Sequence, residues 1–234
     1  MLKILNIDTS TSICSVALSE GSKLLAYRED VEGRNHSLLL APFIKEAYDE
    51  AGIAPAATDA FSVSIGPGSY TGLRIGVSTV KGLAYASRKP VITIPTLEIM
   101  AKGFFHKNPD YLHKQNIAVI PMIDARRMEV FSAVYDSSGK ILREVRAEII
   151  DEKSFNNLKD MDEIILIGDG AEKCKRVFEN EKNIVHKEYF ISARDMIPIS
   201  IQKAESKDFV DTAYFEPFYL KDFIATKPKN KVIK

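Results

Sequence analysis

At 234 residues, with 45% hydrophobic and 27% charged side chains, the chain suits one large globular domain or two small ones. Its 32 basic and 32 acidic residues leave no net charge, which excludes a strong general electrostatic pull on RNA or an anionic membrane. No apolar run reaches the length of a membrane span or secretory signal, so a cytoplasmic protein without membrane contact is expected.

Lys3 to Asp8, Ile13 to Glu20 and Ser22 to Glu29 read as three strands, the last two joined at Gly21 by a tight turn, giving an antiparallel meander. After the first strand comes Asp8-Thr9-Ser10-Thr11-Ser12, a carboxylate followed by four hydroxyl residues. Such a turn could cradle phosphate oxygens, with Asp8 holding a metal-bound water, and a ligand-free Asx or Ser/Thr turn fits the same residues. A helix from His36 to Ala51 carries Leu40, Ile44, Ala47 and Ala51 as its core stripe and leaves Leu38, Leu39 and Pro42 outside it as an apolar patch. Pro42 predicts a kink or a late start. Leu39 and Leu40 stand at i+3 and i+4 from His36, so no helical metal pair forms, and a capping or core histidine is expected.

Ala60 to Ile65 reads as a buried strand, and the stretch from Ser64 to Ala86 holds five of the twelve glycines. Gly66-Pro67-Gly68 breaks regular structure, so a helix is predicted to begin near Tyr70 to Gly72, capped by Ser69 or Thr71. On a helical wheel Arg74, Ser78, Lys81 and Tyr85 form one polar sector, and Leu73, Val77, Val80 and Ala84 form an apolar stripe. Gly72, Gly76, Thr79, Gly82 and Ala86 make a second stripe of small residues. Gly76 and Gly82 each cost a helix about 1 kcal/mol relative to Ala, which close approach by another backbone would offset. That backbone belongs to this chain or to a second polypeptide, and the wheel alone does not separate the two. In the second case Gly76→Leu abolishes pairing without unfolding the chain.

Val91 to Ile94 gives the next strand, in a right-handed parallel crossover, and Thr96 starts a helix to about Phe105, with a domain boundary near Lys107 to Asp110. The opening then recurs: Ile123-Asp124 answers Ile7-Asp8 at an offset of 116 residues, and Lys140-Ile141-Leu142 answers Lys23-Leu24-Leu25 at 117. Duplicated halves explain this, as does chance similarity of short hairpins. A helix from about Asp151, a strand from Ile164 to Ile167, and a helix opened by Gly168-Asp169-Gly170 and running through Phe178 follow. That Gly-Asp-Gly turn either approaches a nucleotide closely or is a plain turn. A helix from Ala193 to about Ser206 and a short strand from Phe215 to Leu220 finish the fold, ahead of a flexible tail with Lys227, Lys229, Lys231 and Lys234. Cys14 and Cys174 are expected as buried, reduced thiols.

Two halves of strand-strand-strand-helix-strand-helix, with an acidic and hydroxyl loop after the first strand, resemble the actin, Hsp70 and sugar-kinase fold. The resemblance implies an α/β protein of two duplicated actin-like (ribonuclease H-like) halves, each a mixed five-stranded sheet with helices, over 1–106 and 107–220, with a basic tail at 221–234. Ile7-Asp8-Thr9-Ser10, Asn35-His36-Ser37, Gly66-Pro67-Gly68-Ser69-Tyr70-Thr71-Gly72-Leu73-Arg74-Ile75-Gly76, Lys81-Gly82-Leu83-Ala84 and Ile123-Asp124-Ala125-Arg126 narrow it to the TsaB (YeaZ) family. That family supplies a subunit of the bacterial machinery making threonylcarbamoyladenosine in tRNA. The likeness is dense in the first half and thin in the second, ending with Glu216-Pro217-Phe218-Tyr219-Leu220.

What the resemblance implies is a non-catalytic subunit that binds and activates its paralogue TsaD, which holds the metal and transfers threonylcarbamoyl to adenosine, with the ATPase TsaE joining the pair. It leaves homodimer or monomer open for the isolated chain, and implies tRNA reached through the complex. Family members pack through the helices that begin here at His36 and Thr71. This places Leu38, Leu39, Pro42, Tyr70, Thr71, Gly72, Arg74, Ile75, Gly76, Thr79 and Gly82 at a partner interface. No metal or resident cofactor is expected, ATP or ADP entering only with the assembled complex. The alternative is an ATP-dependent small-molecule kinase of the same fold. A kinase needs a phosphate-gripping loop from each half, and Asp124-Ala125-Arg126-Arg127-Met128 lacks glycine and hydroxyls. Residual nucleotide contact at Asp8, Thr9, Ser10, Gly168 and Gly170 stays open. His36, His106, His113 and His186 are scattered, which argues against a metallopeptidase.

Overall fold

The computed structural model describes residues 1–33 and 35–221. Strands β1 (Lys3–Asp8), β2 (Cys14–Glu20), β3 (Lys23–Asp30), β4 (Ala60–Gly66) and β5 (Val91–Pro95) form a sheet in the order β3-β2-β1-β4-β5. β1 runs antiparallel to β2 and parallel to β4, and β4 runs parallel to β5, so the sheet is mixed. A second sheet repeats the plan with β6 (Ile117–Asp124), β7 (Glu129–Tyr135), β8 (Ile141–Ile149), β9 (Glu163–Ile167) and β10 (Ile184–Lys187), in the order β8-β7-β6-β9-β10. Ile7-Asp8 and Ile123-Asp124 end the central strand of their respective sheets. The repeat seen in sequence is thus a repeat of topology, the duplicated actin-like fold.

Helices α1 (His36–Ala51) and α2 (Tyr70–Ser87) cover the outer face of the first sheet. Their Leu40, Ile44, Ala47, Val77, Val80 and Ala84 share one core with Leu5, Ile7 and Val16 of the strands. Between the sheets lie α3 (Thr96–Lys107) and α5 (Ile197–Glu205), whose Leu97, Phe104 and Ile199 join Ile4 and Ile92 of the first sheet to Val119 and Ile165 of the second. α3 packs on β6 and β7 of the second sheet and on β4 and β5 of the first, whereas α5 packs on β1 and β5. The second lobe's last helix therefore covers the first lobe's sheet, and the first lobe's last helix lies between the two. The outer face of the second sheet is closed by Phe155, Leu158, Phe178 and the short α4 (Asp169–Cys174).

Several expectations need correction. α1 starts at His36 and continues through Pro42, so its start is not delayed. The predicted helix from Asp151 is a single 3-10 turn, Asn156–Leu158, because Phe155 takes a left-handed backbone (φ 70°) to place its ring in the outer core. α4 stops at Cys174 rather than Phe178, whose ring packs 5.7 Å from that of Phe155. β10 was not anticipated: four residues among charged neighbours give little periodicity. The predicted strand at Phe215 to Leu220 is absent, and Pro217, with no N–H to give, sits in its middle. That segment is a strap. Val210 N donates to Val91 O at 3.0 Å, Phe215 is buried against the first lobe, and Phe218 N donates to Ile65 O at 2.7 Å. Lys221 then pairs with Glu129 of the second lobe. The rest of the expected tail, with its lysines at 227, 229, 231 and 234, lies outside the described residues.

Candidate interaction face and cleft floor

Ser69 caps α2, its Oγ accepting from Gly72 N at 3.2 Å. Gly72 and Gly76 are buried beside the β1–β2 turn. A Cβ at Gly72 would stand 2.1 Å from Thr9 O, and one at Gly76 would stand 2.3 Å from Thr9 Oγ1. Thr9 Oγ1 donates to Gly72 O at 2.8 Å, so the turn is seated in the groove these glycines leave. The close neighbour is the chain's own at both positions, the Thr9 backbone at Gly72 and the Thr9 side chain at Gly76. The expectation that a large side chain at 76 leaves the fold intact is thereby overturned. Gly82, two stripe positions further on, has no atom from beyond its own stretch of helix within 4 Å of its notional Cβ.

The other side of the two helices faces outward. On α2 Thr71, Arg74, Ser78, Gly82, Tyr85 and Ala86 are exposed, Tyr85 to 86%, while Tyr70, Ile75 and Thr79 are half-buried. On α1 Leu38 is 73% exposed, Pro42 is exposed and Leu39 is half-buried. Both helices rest on one face of one sheet and touch each other, so these residues share a surface. Of the eleven predicted interface residues, Gly72 and Gly76 alone are buried. Lys81, assigned to the polar sector, instead leans over the Phe215 ring at 4.8 Å and donates to Ala213 O at 3.1 Å. The interface reading passed over two rings: Tyr85, marked only by its wheel position, and Tyr219, stacked on Tyr70 at 4.6 Å with Arg74 5.6 Å from the Tyr70 ring. No local pattern pairs Tyr70 with a residue that far along the chain.

Asp8, Thr9 and Ser10 are all fully buried. Asp8 Oδ1 accepts from Ser10 Oγ at 2.7 Å and Ser10 N at 3.3 Å, while Oδ2 has no hydrogen-bond partner among the described residues. Burial pushes the Asp8 carboxyl up from its ordinary range, against the pull of the nearby Ser64 and Ser10 hydroxyls. Asn6, Ser62, Ser64 and Thr96 lie on the same buried floor, Asn6 and Ser62 paired across β1 and β4. The second lobe covers it: Ala193 N donates to Ser15 Oγ at 2.9 Å, and Tyr27 Oη meets Ser192 Oγ at 3.0 Å. His36 is buried, with Nε2 3.2 Å from Ile13 O, in keeping with a core histidine.

This floor yields a prediction about pH. With its folded pKa raised, Asp8 adds stability that is fully present below the unfolded carboxylate pKa and is lost as pH rises through the folded value. Asp8→Asn is therefore expected to stabilise the chain at pH 7.5 by about 1 kcal/mol or more, since the amide keeps the Ser10 bonds and offers Ser64 a donor. The gain should shrink toward pH 4, as followed by urea unfolding at both pH values.

The second lobe offers no matching grip. Asp124 Oδ1 accepts from Arg126 N at 2.7 Å and pairs with Lys173, so the loop is held by a lysine of α4. Arg126 and Arg127 both take left-handed backbones, with φ of 74° and 52°. A Cβ at Gly168 would meet Met122 O at 2.4 Å, and one at Gly170 would meet the Ile123 backbone at 2.9 Å. These glycines let α4 press on β6, a packing role that a plain turn fulfils. Among the described residues no group of three or more His, Cys, Asp and Glu side chains converges, and no helix is long and apolar enough to cross a membrane. Cys14 and Cys174 are both buried and unpaired.

Comparison with known proteins places this geometry. Residues 30–227 match the TsaD family, described as tRNA N6-adenosine threonylcarbamoyltransferase. The chain is 30% identical over 233 residues to the tRNA threonylcarbamoyladenosine biosynthesis protein TsaB of Escherichia coli, covering 97% of each. It is 30% identical to the protein of the same name in Haemophilus influenzae, covering 97% of this chain and 96% of that one. YeaZ from Pseudomonas aeruginosa superposes with a TM-score of 0.77 at 26% identity, over 94% of this chain and 100% of that one. Topology, the Gly-Pro-Gly stretch and full-length similarity agree, and the chain belongs to the TsaB (YeaZ) family of tRNA threonylcarbamoyladenosine biosynthesis proteins.

Proposed function

We propose that the chain is a cytoplasmic, non-catalytic subunit that pairs with a TsaD transferase through the outward face of α1 and α2 and activates it. TsaE, an ATPase, joins the assembled pair, and the product is threonylcarbamoyl on the adenosine beside the tRNA anticodon. tRNA, and ATP or ADP, meet the chain only within that assembly, and the isolated chain forms a homodimer through the same face. The observation that carries this reading is the apolar, ring-bearing outer surface: Leu38 of α1 and Tyr85 of α2 stand largely in solvent, and Gly82 of α2 is open. Its kinship with the TsaD family supports a partner of the same fold, helix pair against helix pair. Against the kinase alternative stands the floor, where Asp8 is sealed beneath the second lobe.

Mixing the chain with the TsaD of its own organism and measuring the mass of the product tests the reading. A one-to-one complex from a chain inactive alone is the expected result. A chain that stays unpaired would overturn it, and magnesium-ATP hydrolysis lost on Asp8→Ala would put the kinase first.

A further inference from the structure

A cleft of about 510 Å³ opens between the lobes beneath the strap. Its walls are Leu97 from the first lobe, Tyr135, Ile141 and Val145 from the second, and Phe218 from the strap. A mainly apolar hollow of this size with a few converging polar groups is the usual form of a small-molecule site.

The polar groups are unevenly charged. Glu98, Glu144 and Lys102 line the cleft. Lys102 Nζ is 2.7 Å from Glu98 Oε1, so that pair is neutral. Glu144 has no ion pair among the described residues, because its neighbours Arg143 and Arg146 both pair with Glu148 instead. The hollow therefore carries one uncompensated negative charge beside an apolar wall. Burial first, and then the Glu98 and Glu144 carboxylates, raise the Tyr135 pKa, so this wall stays a neutral phenol.

We propose that this interlobe cleft binds a small organic monocation with an apolar body, its ammonium paired with Glu144 and its hydrocarbon against Leu97, Ile141 and Phe218. An anion would meet Glu144 unpaired and is excluded, and a neutral molecule gains the apolar contact without the charge. Because the walls come from both lobes and the strap, an occupant fastens them together. The site lies apart from the outer face of α1 and α2, so it stands or falls independently of partner binding.

The test uses three probes of one shape: 4-phenylbutylamine, 4-phenylbutanol and 4-phenylbutyrate, each titrated into the full chain by thermal shift and methyl NMR. The amine is expected to raise the melting temperature saturably and to move the Leu97, Ile141 and Val145 methyl signals. It should bind at least about fivefold tighter than the alcohol, while the carboxylate leaves the signals in place. Glu144→Gln should bring the amine down to the level of the alcohol, and Val145→Phe, which fills the hollow, should remove both. Equal binding by all three probes, no saturable response to the amine below 10 mM, or an amine affinity unchanged by Glu144→Gln would each overturn the proposal.

Discussion

Gly76→Leu is expected to destabilise the chain by at least about 3 kcal/mol, at the upper end of overpacking effects. The first added atom already falls 2.3 Å from Thr9 Oγ1, and Thr9 cannot step aside cheaply, because its hydroxyl is bonded to Gly72 O. Three more carbons then have to enter a site that is already buried, with Val63 on its other wall. For a chain of this length the loss corresponds to a fall in melting temperature of about 6–12 °C. Calorimetry on the isolated chain reads it directly, with no partner present. A variant that melts with the parent would show that the turn at Thr9 does not occupy the groove.

Gly82→Arg is expected to do the opposite, leaving the fold intact while weakening pairing with TsaD by about 100-fold or more. Nothing stands within 4 Å of the notional Cβ, and no left-handed backbone requires glycine there. Helix propensity alone favours arginine over glycine by somewhat under 1 kcal/mol, so at concentrations too dilute for the homodimer the melting temperature should hold or rise slightly. The loss in binding follows from the partner: a helix brought close over a bare glycine has no room for a guanidinium and its stem, and the 100-fold loss corresponds to about 2.7 kcal/mol. Titration calorimetry against TsaD measures it, and undiminished affinity would remove Gly82 from the interface. Together the two variants separate a glycine kept for the chain's own turn from one left open to a visitor.

The difference between those glycines was not legible in sequence. A wheel shows that one side of α2 is small, but Thr9 lies 67 residues before Gly76, and only the parallel pairing of β1 with β4 brings them together. Elements with strong local signals fared better. The limits of β1 and α1 agree with their patterns to the residue, since a short apolar run ending at Asp8 and a 3.6-residue stripe bounded by Gly33 and Gly52 leave little choice. The weaker parts of the second lobe were misread where burial of single rings, Phe155 and Phe178, overrides periodicity. The strap was misread because its apolar residues alternate like a strand's while serving separate anchor points.

Asp8 illustrates a further limit. Its motif allowed a phosphate cradle or an empty turn, and which holds depends on Ala193 and Ser192, far along the chain, coming to rest on that floor. The raised Asp8 carboxyl follows from the same closure, being a matter of what covers the group rather than of what adjoins it in sequence.

The layer of helices that the two lobes share limits how such a protein can vary. Because α3 lies against both sheets and α5 against the first, the two lobes share one interior, and a cut between them would leave each with a bare greasy flank. The shared interior ties the two lobes together, while the outer core of each lobe packs on its own side of the molecule and can change without disturbing the other.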